Sequence, residues 1–445
     1  MSQRRIAVVG GGIAGLVSAY TQLRSGIEVH LFEASDRVGG VLGTSLVDGY
    51  LREHAASSFL GGPIDGALAL TELLGVQVEK ASRKAKARWI YIDGKLRALP
   101  TNPIAFLRSD LLTWRGKLAL LREPFVPAGG GTDESVHAFA ARRLGPEAAR
   151  ALVAPFVTGV FAADAHDISL EAGFPRLAAL DAAGGLVRGG LRQMLGGIRR
   201  RGKPETAGGK TPRGMYAPVG GMAAIIDALA RELGPRVHTG AAIRTIEPIA
   251  DGVSIAGERW DRAVLALPAA AAIPLVASTV PELATKLAGL SRAPIALVYL
   301  GVDEASLPPD ALAAFGLLVA KGEALRVLGI VFESTVWAGR APAGRVLLRC
   351  VYGGSRDPSA PSLGDAELID QACRDVARAL ELPAALEPDH ASVVRCDHAI
   401  AQYAVGHADR VREATAVART ARLGLVGADY HGAGLNDICR DAFCT

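Results

Sequence analysis

A glycine-rich run near the start of the sequence is the first stretch whose residue types and spacing suggest a chemical role. The run reads Gly10-Gly11-Gly12-Ile13-Ala14-Gly15, and an acid, Glu33, follows about 20 residues later. Gly10 allows a tight turn, Gly12 lets a pyrophosphate approach the backbone, and Gly15 lets a helix pack closely on a strand. Glu33 is placed to accept hydrogen bonds from a ribose. The spacing therefore predicts a dinucleotide site, and NAD and FAD both remain open.

Such a site has to be positioned by a strand, a helix and a second strand. The apolar run 6–9, after Arg4 and Arg5, precedes the glycines, a helical pattern follows them, and a second largely apolar run, 29–32, leads into the acid. The phosphates would rest on the unpaired N–H groups at the start of the helix. We therefore expect a Rossmann-type βαβ unit at the centre of an α/β fold.

An extension after the acid distinguishes between the two dinucleotides. Residues 33–40 read Glu-Ala-Ser-Asp-Arg-Val-Gly-Gly, which places Arg37, Gly39 and Gly40 in an E-x-x-x-R-x-G-G pattern. This pattern resembles the signature of the large family of FAD-dependent amine oxidases, phytoene desaturases and protoporphyrinogen oxidases. The resemblance implies that FAD is the cofactor and that the arginine and the glycine pair run beside its phosphates and ribityl chain.

The length and the charge of the chain bear on its class. At 445 residues, the chain is longer than one hydrophobic core usually serves, so we expect two or three lobes. The 49 basic and 45 acidic side chains give a formal charge of +4, which makes no case for binding nucleic acid. Basic clusters at 83–88 and 199–213 are either solvated surface or faces for anionic lipid or substrate carboxylates.

The cysteines and the apolar runs bear on location. The five cysteines are Cys350, Cys373, Cys396, Cys439 and Cys444. Their spacing predicts free thiols in a reducing compartment and no metal site. The first strand starts almost at once, so no signal peptide is expected, and no apolar run is long enough to span a bilayer. We therefore expect a cytoplasmic protein that is soluble or rests on the membrane surface.

Beyond the first unit, the pattern of the chain changes several times. Apolar runs on either side of Asp93-Gly94 predict a hairpin, and 104–200 is largely helical in pattern. Apolar runs between 294 and 351 predict a second sheet, and 423–427 predicts a last strand. The expected domains are an FAD-binding domain assembled from 1–82, 205–270 and 400–445, a helical lobe over 83–204, and a substrate-binding domain over 271–399.

The apolar side chains of the helical lobe can be interpreted in two ways. They could form a face that dips into a membrane, or they could be the core of the lobe, and the sequence favours neither. These side chains are Leu107, Leu111, Leu112, Trp114, Leu118, Leu120, Leu121 and Phe125.

Further motifs narrow the resemblance. They are the Trp89 hairpin, 159–162 followed by Ser169, 328–332, Gly353-Gly354, Gln402-Tyr403 with Gly406-His407, and the closing run 427–437. With these motifs the chain resembles one branch of the family, the oxygen-dependent protoporphyrinogen oxidases. The resemblance implies an amine-oxidase-like fold, with a Rossmann-type FAD-binding domain, an inserted mixed-sheet substrate domain and a helical, membrane-facing lobe.

The resemblance also assigns residues to the cofactor. Ile243 would lie against the adenine, and backbone at 55–58, at Ala428 and at 433–435 would lie near the isoalloxazine and the ribityl chain. N–H groups at the start of a helix, which we place at Asp437, would stabilise the negative charge of reduced flavin. The predicted cofactor-binding residues are Gly10, Gly11, Gly12, Ile13, Ala14, Gly15, Glu33, Ala34, Arg37, Gly39, Gly40, Val41, Ala55, Ala56, Ser57, Ser58, Ile243, Ala428, Ala433, Gly434 and Leu435.

For the substrate, the resemblance implies a porphyrinogen. Arg88 would pair with one of its propionates, a grip that suits a planar guanidinium. The Gly159 carbonyl would face the pyrrole N–H groups. Leu318, Val331 and Val351 would pack on the faces of the macrocycle. The implied reaction is hydride transfer from a substrate carbon to the flavin, which molecular oxygen reoxidises, and no side chain is assigned as a catalyst.

Two departures from the branch pattern predict weaker flavin retention. Where the branch reads E-x-G-P-N-S, this chain has Ala55 and Ala56 after Glu53-His54. The branch also continues beyond the segment at Asp437 with a long helix, whereas this sequence stops at Thr445.

Several alternatives stay open. The same fold could oxidise coproporphyrinogen III, and the two departures support a non-catalytic relative that binds flavin or porphyrin. An amine oxidase or a carotenoid desaturase is more distant, because the Arg88 hairpin and the helical lobe argue against both. The oligomeric state, including a homodimer, and the depth of any membrane contact are left open by the sequence.

Overall fold

The computed structural model describes residues 4–62, 66–85, 87–100, 102–129, 133–192 and 213–443. Some residues singled out above lie outside these ranges. They are Lys86 in the basic cluster 83–88, residues 199–212 of the basic cluster 199–213, the domain boundary at 204–205, and Cys444.

Twenty strands are defined within these ranges. In chain order they are β1 (Arg5–Val9), β2 (Glu28–Phe32), β3 (Thr44–Val47), β4 (Tyr50–Glu53), β5 (Phe59–Leu60), β6 (Val78–Lys80), β7 (Ala87–Ile92), β8 (Lys95–Ala98), β9 (Met215–Pro218), β10 (Val237–His238), β11 (Ile246–Ile249), β12 (Gly252–Ile255), β13 (Glu258–Trp260), β14 (Arg262–Leu265), β15 (Ser291–Asp303), β16 (Ala314–Val319), β17 (Gly329–Phe332), β18 (Arg345–Gly353), β19 (His390–Gln402) and β20 (Leu423–Leu425).

The α-helices of the described ranges follow the same order. They are α1 (Ile13–Arg24), α2 (Ala67–Leu73), α3 (Pro103–Arg108), α4 (Trp114–Leu120), α5 (Val136–Leu144), α6 (Pro146–Ala148), α7 (Ala154–Phe161), α8 (Leu170–Gly173), α9 (Pro175–Ala182), α10 (which includes 186–192), α11 (Ala223–Leu233), α12 (Ala269–Val276), α13 (Pro281–Leu287), α14 (Glu333–Val336), α15 (Asp365–Ala379), α16 (His407–Thr420) and α17 (Leu435–Phe443). A π-helical turn, Ala149–Val153, joins α6 to α7.

A parallel sheet holds the glycine run. Its strand order is β10-β2-β1-β14-β20, and all the pairings are parallel. The strands are mostly apolar, as expected for a parallel sheet that is covered on both faces. Helices α1, α2, α11 and α17 cover one face, and α12, α13 and α16 cover the other. The predicted βαβ unit and the return of the last strand to this sheet are confirmed.

A second, mixed sheet forms the other layer. Its order is β19-β15-β18-β17-β16-β7-β8, and only the pairing of β16 with β7 is parallel. Helix α15 covers one face of this sheet with Leu368, Ala372 and Val376, which lie four residues apart on one helical stripe. The opposite face contacts the N-terminal part of the chain, where the Tyr299 hydroxyl on β15 donates to the Glu53 carbonyl at 2.6 Å. The predicted second sheet is therefore present.

The predicted hairpin is confirmed, but it belongs to this mixed sheet. Asp93 and Gly94 have φ values of 52° and 74°, which the tight two-residue turn requires. Strand β7 then pairs with β16, so the hairpin continues the sheet that contains β15–β19. The pairing favours moving 83–98 from the helical lobe to the substrate-binding domain.

The helical lobe has an ionic as well as an apolar core. The guanidinium of Arg143 is fully buried and pairs with Asp181 and, at 3.4 Å, with Glu123. Leu111 and Leu112 are buried against β7, so they belong to the core and not to a membrane-facing surface. No α-helix within the described ranges is both long and apolar enough to cross a bilayer.

Candidate active site

The turn after β1 is shaped by glycines. Gly10 has a φ of 108°, which side-chain-bearing residues rarely adopt, and its N–H donates to the Phe32 carbonyl at 2.8 Å. A Cβ on Gly15 would collide with the Gly10 carbonyl oxygen, because α1 starts directly against the turn. Both positions therefore require glycine for local packing, as the fingerprint predicts.

The N-terminus of α1 is open. Gly12 is its N-cap residue, no side chain caps the helix, and its first turn contains no acid. A Cβ built on Gly12 would meet nothing within 4 Å, so space remains beside the backbone at this point. The first N–H groups of a helix have no partner inside the helix. This arrangement suits an anion such as a pyrophosphate.

Glu33 lies beside the same turn. Its carboxylate accepts hydrogen bonds from the Gly11 N–H at 2.6 Å and from the N–H and hydroxyl of Ser35 at 2.9 and 2.7 Å. Its backbone N–H donates to the His238 carbonyl at 2.9 Å, which ties the end of β2 to β10. The carboxylate is therefore held at the edge of the glycine turn, where the fingerprint requires an acid.

A second glycine turn packs on the first. The Gly39 N–H donates to the Gly11 carbonyl at 2.8 Å, and a Cβ on Gly40 would lie 3.2 Å from the Gly12 Cα. The guanidinium of Arg37 donates to the Gly40 carbonyl at 3.0 Å and so holds this turn. Ala34, next in sequence to Glu33, is exposed. The two glycine turns thus line one continuous strip of backbone.

Ile243 lies in a separate groove of about 460 Å³. The groove also contains Ala242 and Thr245, and it starts beside Glu33, whose carbonyl accepts from the Ala241 N–H at 2.8 Å. The position of this groove agrees with an adenine at the end of the strip. Binding there remains a prediction.

A cavity of about 380 Å³ lies between the two sheets. It brings together predicted residues from six separate stretches of the chain: Ile13, Val41, Ala55, Ala56, Gly159, Val351, Ala428, Ala433 and Leu435. Ser57 is buried, Ser58 is partly buried, and Gly434 is exposed. None of these three lines the cavity, and neither do Arg88, Leu318 and Val331.

Strand register nevertheless places the predicted substrate residues on one face of the mixed sheet. Arg88 lies opposite Gly316, which lies opposite Val331, which lies opposite Arg349. The next row on this face contains Leu318, Gly329 and Val351. Because cross-strand partners point to the same side of a sheet, all four predicted side chains face the same way.

Two of the predicted residues meet across this face. Gly159 lies on α7, and a Cβ there would stand 2.8 Å from the Leu318 Cδ2 atom. Arg88 is exposed, and its guanidinium lies 4.8 Å from the ring centroid of Phe315. Arg88 therefore lies at the rim of the face, supported by an aromatic ring and open to solvent.

Three buried ion pairs near the cavity were not predicted. Arg340 pairs with Glu53 at 2.6 Å, Arg349 with Glu333 at 3.0 Å, and Arg292 with Asp429 at 2.6 Å. Arg292 and Arg349 line the cavity. The sequence signal for these ion pairs was weak, since it consists of one charged residue, Arg349, in the otherwise apolar interior of β18.

His407 is not among the residues that line this cavity, whereas His54 is. His407, in the Gly406-His407 motif, is buried and stacked on Tyr403 at 4.3 Å, and burial lowers its pKa to about 4. Its imidazole is therefore neutral at neutral pH and acts as a packing group. Across the described ranges, no cluster of three His, Cys, Asp or Glu side chains could hold a metal ion.

The closing helix starts earlier than predicted. It runs from Leu435, and the N–H groups of Asp437 and Ile438 both donate to the Gly434 carbonyl. The expected start at Asp437 is therefore wrong by two residues. Ala433 and Leu435, on either side of Gly434, line the cavity, so the start of this helix still faces it.

The residues of this site fit a flavin dinucleotide. The uncapped start of α1 and the open space at Gly12 suit the pyrophosphate, and Glu33 lies beside the same turn. The strip of backbone leads from there to Val41, Ala55 and the mainly apolar cavity.

Comparisons with known proteins also point to a flavin as the cofactor. The family described as flavin-containing amine oxidoreductases matches residues 13–434. Human protoporphyrinogen oxidase is 30% identical, over 98% of this chain and 96% of its own length. Coproporphyrinogen III oxidase of Mycobacterium leprae is also 30% identical, over 94% of this chain and 92% of its own length. A crystal structure from Exiguobacterium sp. 255-15 has a TM-score of 0.81 at 22% identity, covering 100% of this chain and 98% of that one.

Proposed function

Since the chain belongs to the family of flavin-containing amine oxidoreductases, we propose that it oxidises protoporphyrinogen IX to protoporphyrin IX with O₂ as the electron acceptor. It is a flavin-dependent oxidoreductase with an amine-oxidase-like fold, and its cofactor is FAD. The predicted division into FAD-binding, helical and substrate-binding parts is kept as a proposal, with the hairpin moved to the substrate-binding part.

One observation carries the proposal. The cavity between the sheets is bounded on one side by the cofactor loops at Ala55 and Ala433 and on the other by Val351 and Gly159. A largely apolar macrocycle placed there would lie against the flavin site. When bound, the flavin supplies a hydride acceptor that O₂ then reoxidises.

The chain's own residues position the substrate and exclude water. Leu297, Ile295 and Val394 extend the apolar wall next to Val351. Arg88 lies three strands from Arg349 along one row, which corresponds to roughly 14 Å at the usual strand spacing. A guanidinium at this distance can hold a carboxylate at the edge of a macrocycle whose centre lies deeper on the same face.

The function is tested by porphyrin fluorescence. Purified protein supplied with FAD is mixed in air with protoporphyrinogen IX or with coproporphyrinogen III, and the growth of porphyrin fluorescence is followed. We expect growth well above autoxidation with protoporphyrinogen IX. A rate equal to autoxidation with both substrates would favour the non-catalytic relative.

Replacing Arg88 by Ala is expected to lower kcat/KM about ten- to hundredfold. Loss of one charge-assisted contact to a propionate is worth about 1.5–3 kcal/mol. The effect should fall mainly on KM, because the guanidinium lies at the rim and away from the flavin loops. Arg97→Ala, on the neighbouring strand β8 of the same hairpin, is the control. An equal loss in both variants would contradict a carboxylate contact at Arg88.

Coproporphyrinogen III is the second candidate substrate. It carries more propionates than protoporphyrinogen IX, and two further exposed cations, Arg83 and Lys84, precede Arg88 in the sequence. The Mycobacterium leprae relative supports this candidate as well. A higher kcat/KM with coproporphyrinogen III, lowered by Arg83→Ala, would establish it.

We also propose that the helical lobe contacts a membrane surface in the cytoplasm. The apolar face of α4, defined as Trp114, Leu118, Leu121 and the adjacent Phe125, is 58–77% exposed. Its first three members recur at helical spacing, and Arg115 and Arg122 beside them are exposed cations. Such a face suits an anionic lipid surface.

The variant Leu121→Glu/Phe125→Glu is expected to weaken vesicle binding at least tenfold. Each substitution removes about 1.5–3 kcal/mol of apolar transfer and adds a negative charge. Flotation with phosphatidylglycerol-containing vesicles measures this. Leu46→Glu, at an equally exposed leucine on β3, should leave binding unchanged. Wild-type flotation by the double variant would refute the contact.

A further inference from the structure

Arg349 connects the substrate-facing sheet to a cofactor loop. It lies on β18, near the centre of the mixed sheet, and its Nη1 atom donates to the Ala55 carbonyl at 3.0 Å. Ala55 lines the cavity on the predicted flavin side. The two residues are 294 positions apart in the chain, so this contact joins two separately formed parts of the fold.

The contact is embedded in a buried polar network. The Nε atom of Arg349 lies 3.0 Å from the Glu333 carboxylate, which is 1% exposed. On the neighbouring strand, the Tyr299 hydroxyl donates to the Glu53 carbonyl at 2.6 Å. The sheet therefore holds the loop 53–55 at the carbonyls of Glu53 and Ala55, the first through Tyr299 and the second through Arg349.

The charge of Arg349 is already balanced. Burial lowers its pKa, but Glu333 and Tyr299 outweigh this effect and raise the pKa overall, so the guanidinium stays charged. One edge of the planar guanidinium pairs with Glu333 and another donates to the Ala55 carbonyl, so both edges already have partners within the protein. It is therefore poorly suited to hold a substrate carboxylate, unlike the exposed Arg88.

We propose that Arg349 is a positioning residue that sets the distance between the flavin and the substrate-facing sheet. It does so by fixing the Ala55 carbonyl, and hence the 55–56 loop, against β18. This proposal rests on the proposed FAD site. A similar cation elsewhere in the sheet would have no such effect, because only Arg349 and Tyr299 reach carbonyls of the loop 53–55 from the mixed sheet within the described ranges.

Two variants distinguish the effect of the Ala55 carbonyl's position on FAD binding from the effect of the buried charge balance. Arg349→Met/Glu333→Met removes both buried charges, a change that is often tolerated by a fold when both partners are replaced together. Arg349→Lys keeps the charge balance, but a single ammonium cannot reproduce the two-edged fork.

A matched control exists on the opposite face of the sheet. Arg395, on β19, donates to the carbonyls of Pro361 and Leu363 and pairs with Asp365. Arg395→Met removes the same type of group from the same sheet without touching a cofactor loop.

The measurements are the Kd for FAD, from the quenching of FAD fluorescence on titration, and the absorption spectrum of the bound flavin. Thermal unfolding without FAD checks that each variant folds. We expect both Arg349 variants to bind FAD at least tenfold more weakly, with a shifted long-wavelength flavin band, and Arg395→Met to match the wild type.

Wild-type Kd and spectrum in Arg349→Lys would overturn the proposal, because charge alone would then suffice. If Arg349→Met/Glu333→Met does not fold, Arg349→Lys alone decides by the same criterion. Weakening by Arg395→Met to the same extent would also overturn it. Failure of the wild type to bind FAD would instead refute the proposed cofactor site. The experiment therefore distinguishes an error in the cofactor site from an error in the role of Arg349.

Discussion

Replacing Gly12 by Val is expected to weaken FAD binding at least a hundredfold while leaving the FAD-free protein folded. A Cβ at Gly12 meets no protein atom within 4 Å, so there is room at this position for the start of a side chain. The new side chain would occupy the space beside the uncapped start of α1, where a pyrophosphate needs close approach to the backbone. Fluorescence titration with FAD and thermal unfolding without FAD measure the two effects.

Gly364→Val is the matched control for this substitution. Gly364 is also an N-cap glycine with extended backbone, and a Cβ there likewise meets nothing within 4 Å. Both valines therefore carry the same local cost at a helix N-cap. If the two variants bind FAD equally well, the open start of α1 is not the phosphate site.

Replacing Arg340 by Leu is expected to lower the free energy of unfolding by about 3–5 kcal/mol. The Arg340 guanidinium pairs with Glu53 at 2.6 Å, and both side chains are almost completely buried. Glu53 also accepts from the Met222 N–H and the Thr44 hydroxyl, which hold the carboxylate in place. Without the arginine, its charge stays buried and uncompensated. Urea unfolding of the FAD-free protein measures the change.

Arg345→Leu provides the surface comparison. Arg345 pairs with Asp303 at 3.5 Å and Asp389 at 3.4 Å, and its side chain is 37% exposed, so its loss should cost about 1 kcal/mol or less. The double variant Glu53→Leu/Arg340→Leu should recover part of the stability lost in Arg340→Leu. Equal urea midpoints for Arg340→Leu and Arg345→Leu would show that burial does not decide the cost.

Local features of this protein followed from its sequence because they depend on neighbouring residues. The turn at Gly10, the close packing at Gly15 and the hairpin turn at Asp93-Gly94 each require a backbone conformation that few residue types adopt. Errors at this level were small, such as the start of α17 at Leu435 instead of Asp437.

Features with mixed local signals were missed or misassigned. Strand β19 was not predicted, because it lies at the edge of its sheet and its partly exposed residues show no clear alternation. The hairpin of β7 and β8 was predicted but its pairing with β16 was not, since a hairpin's own sequence does not specify which strand pairs with its outer side.

The sequence by itself thus determined the dinucleotide fingerprint, the two sheets and the family, all of which rest on short-range spacing. Only the tertiary structure decided which residues share the cavity, that Arg88 lies outside it at the rim of the same sheet face, and that Arg340 and Arg349 contact the loop 53–55. Those contacts join residues almost 300 positions apart. The residue type alone does not show whether an arginine is buried or exposed, because its environment forms only when distant strands come together.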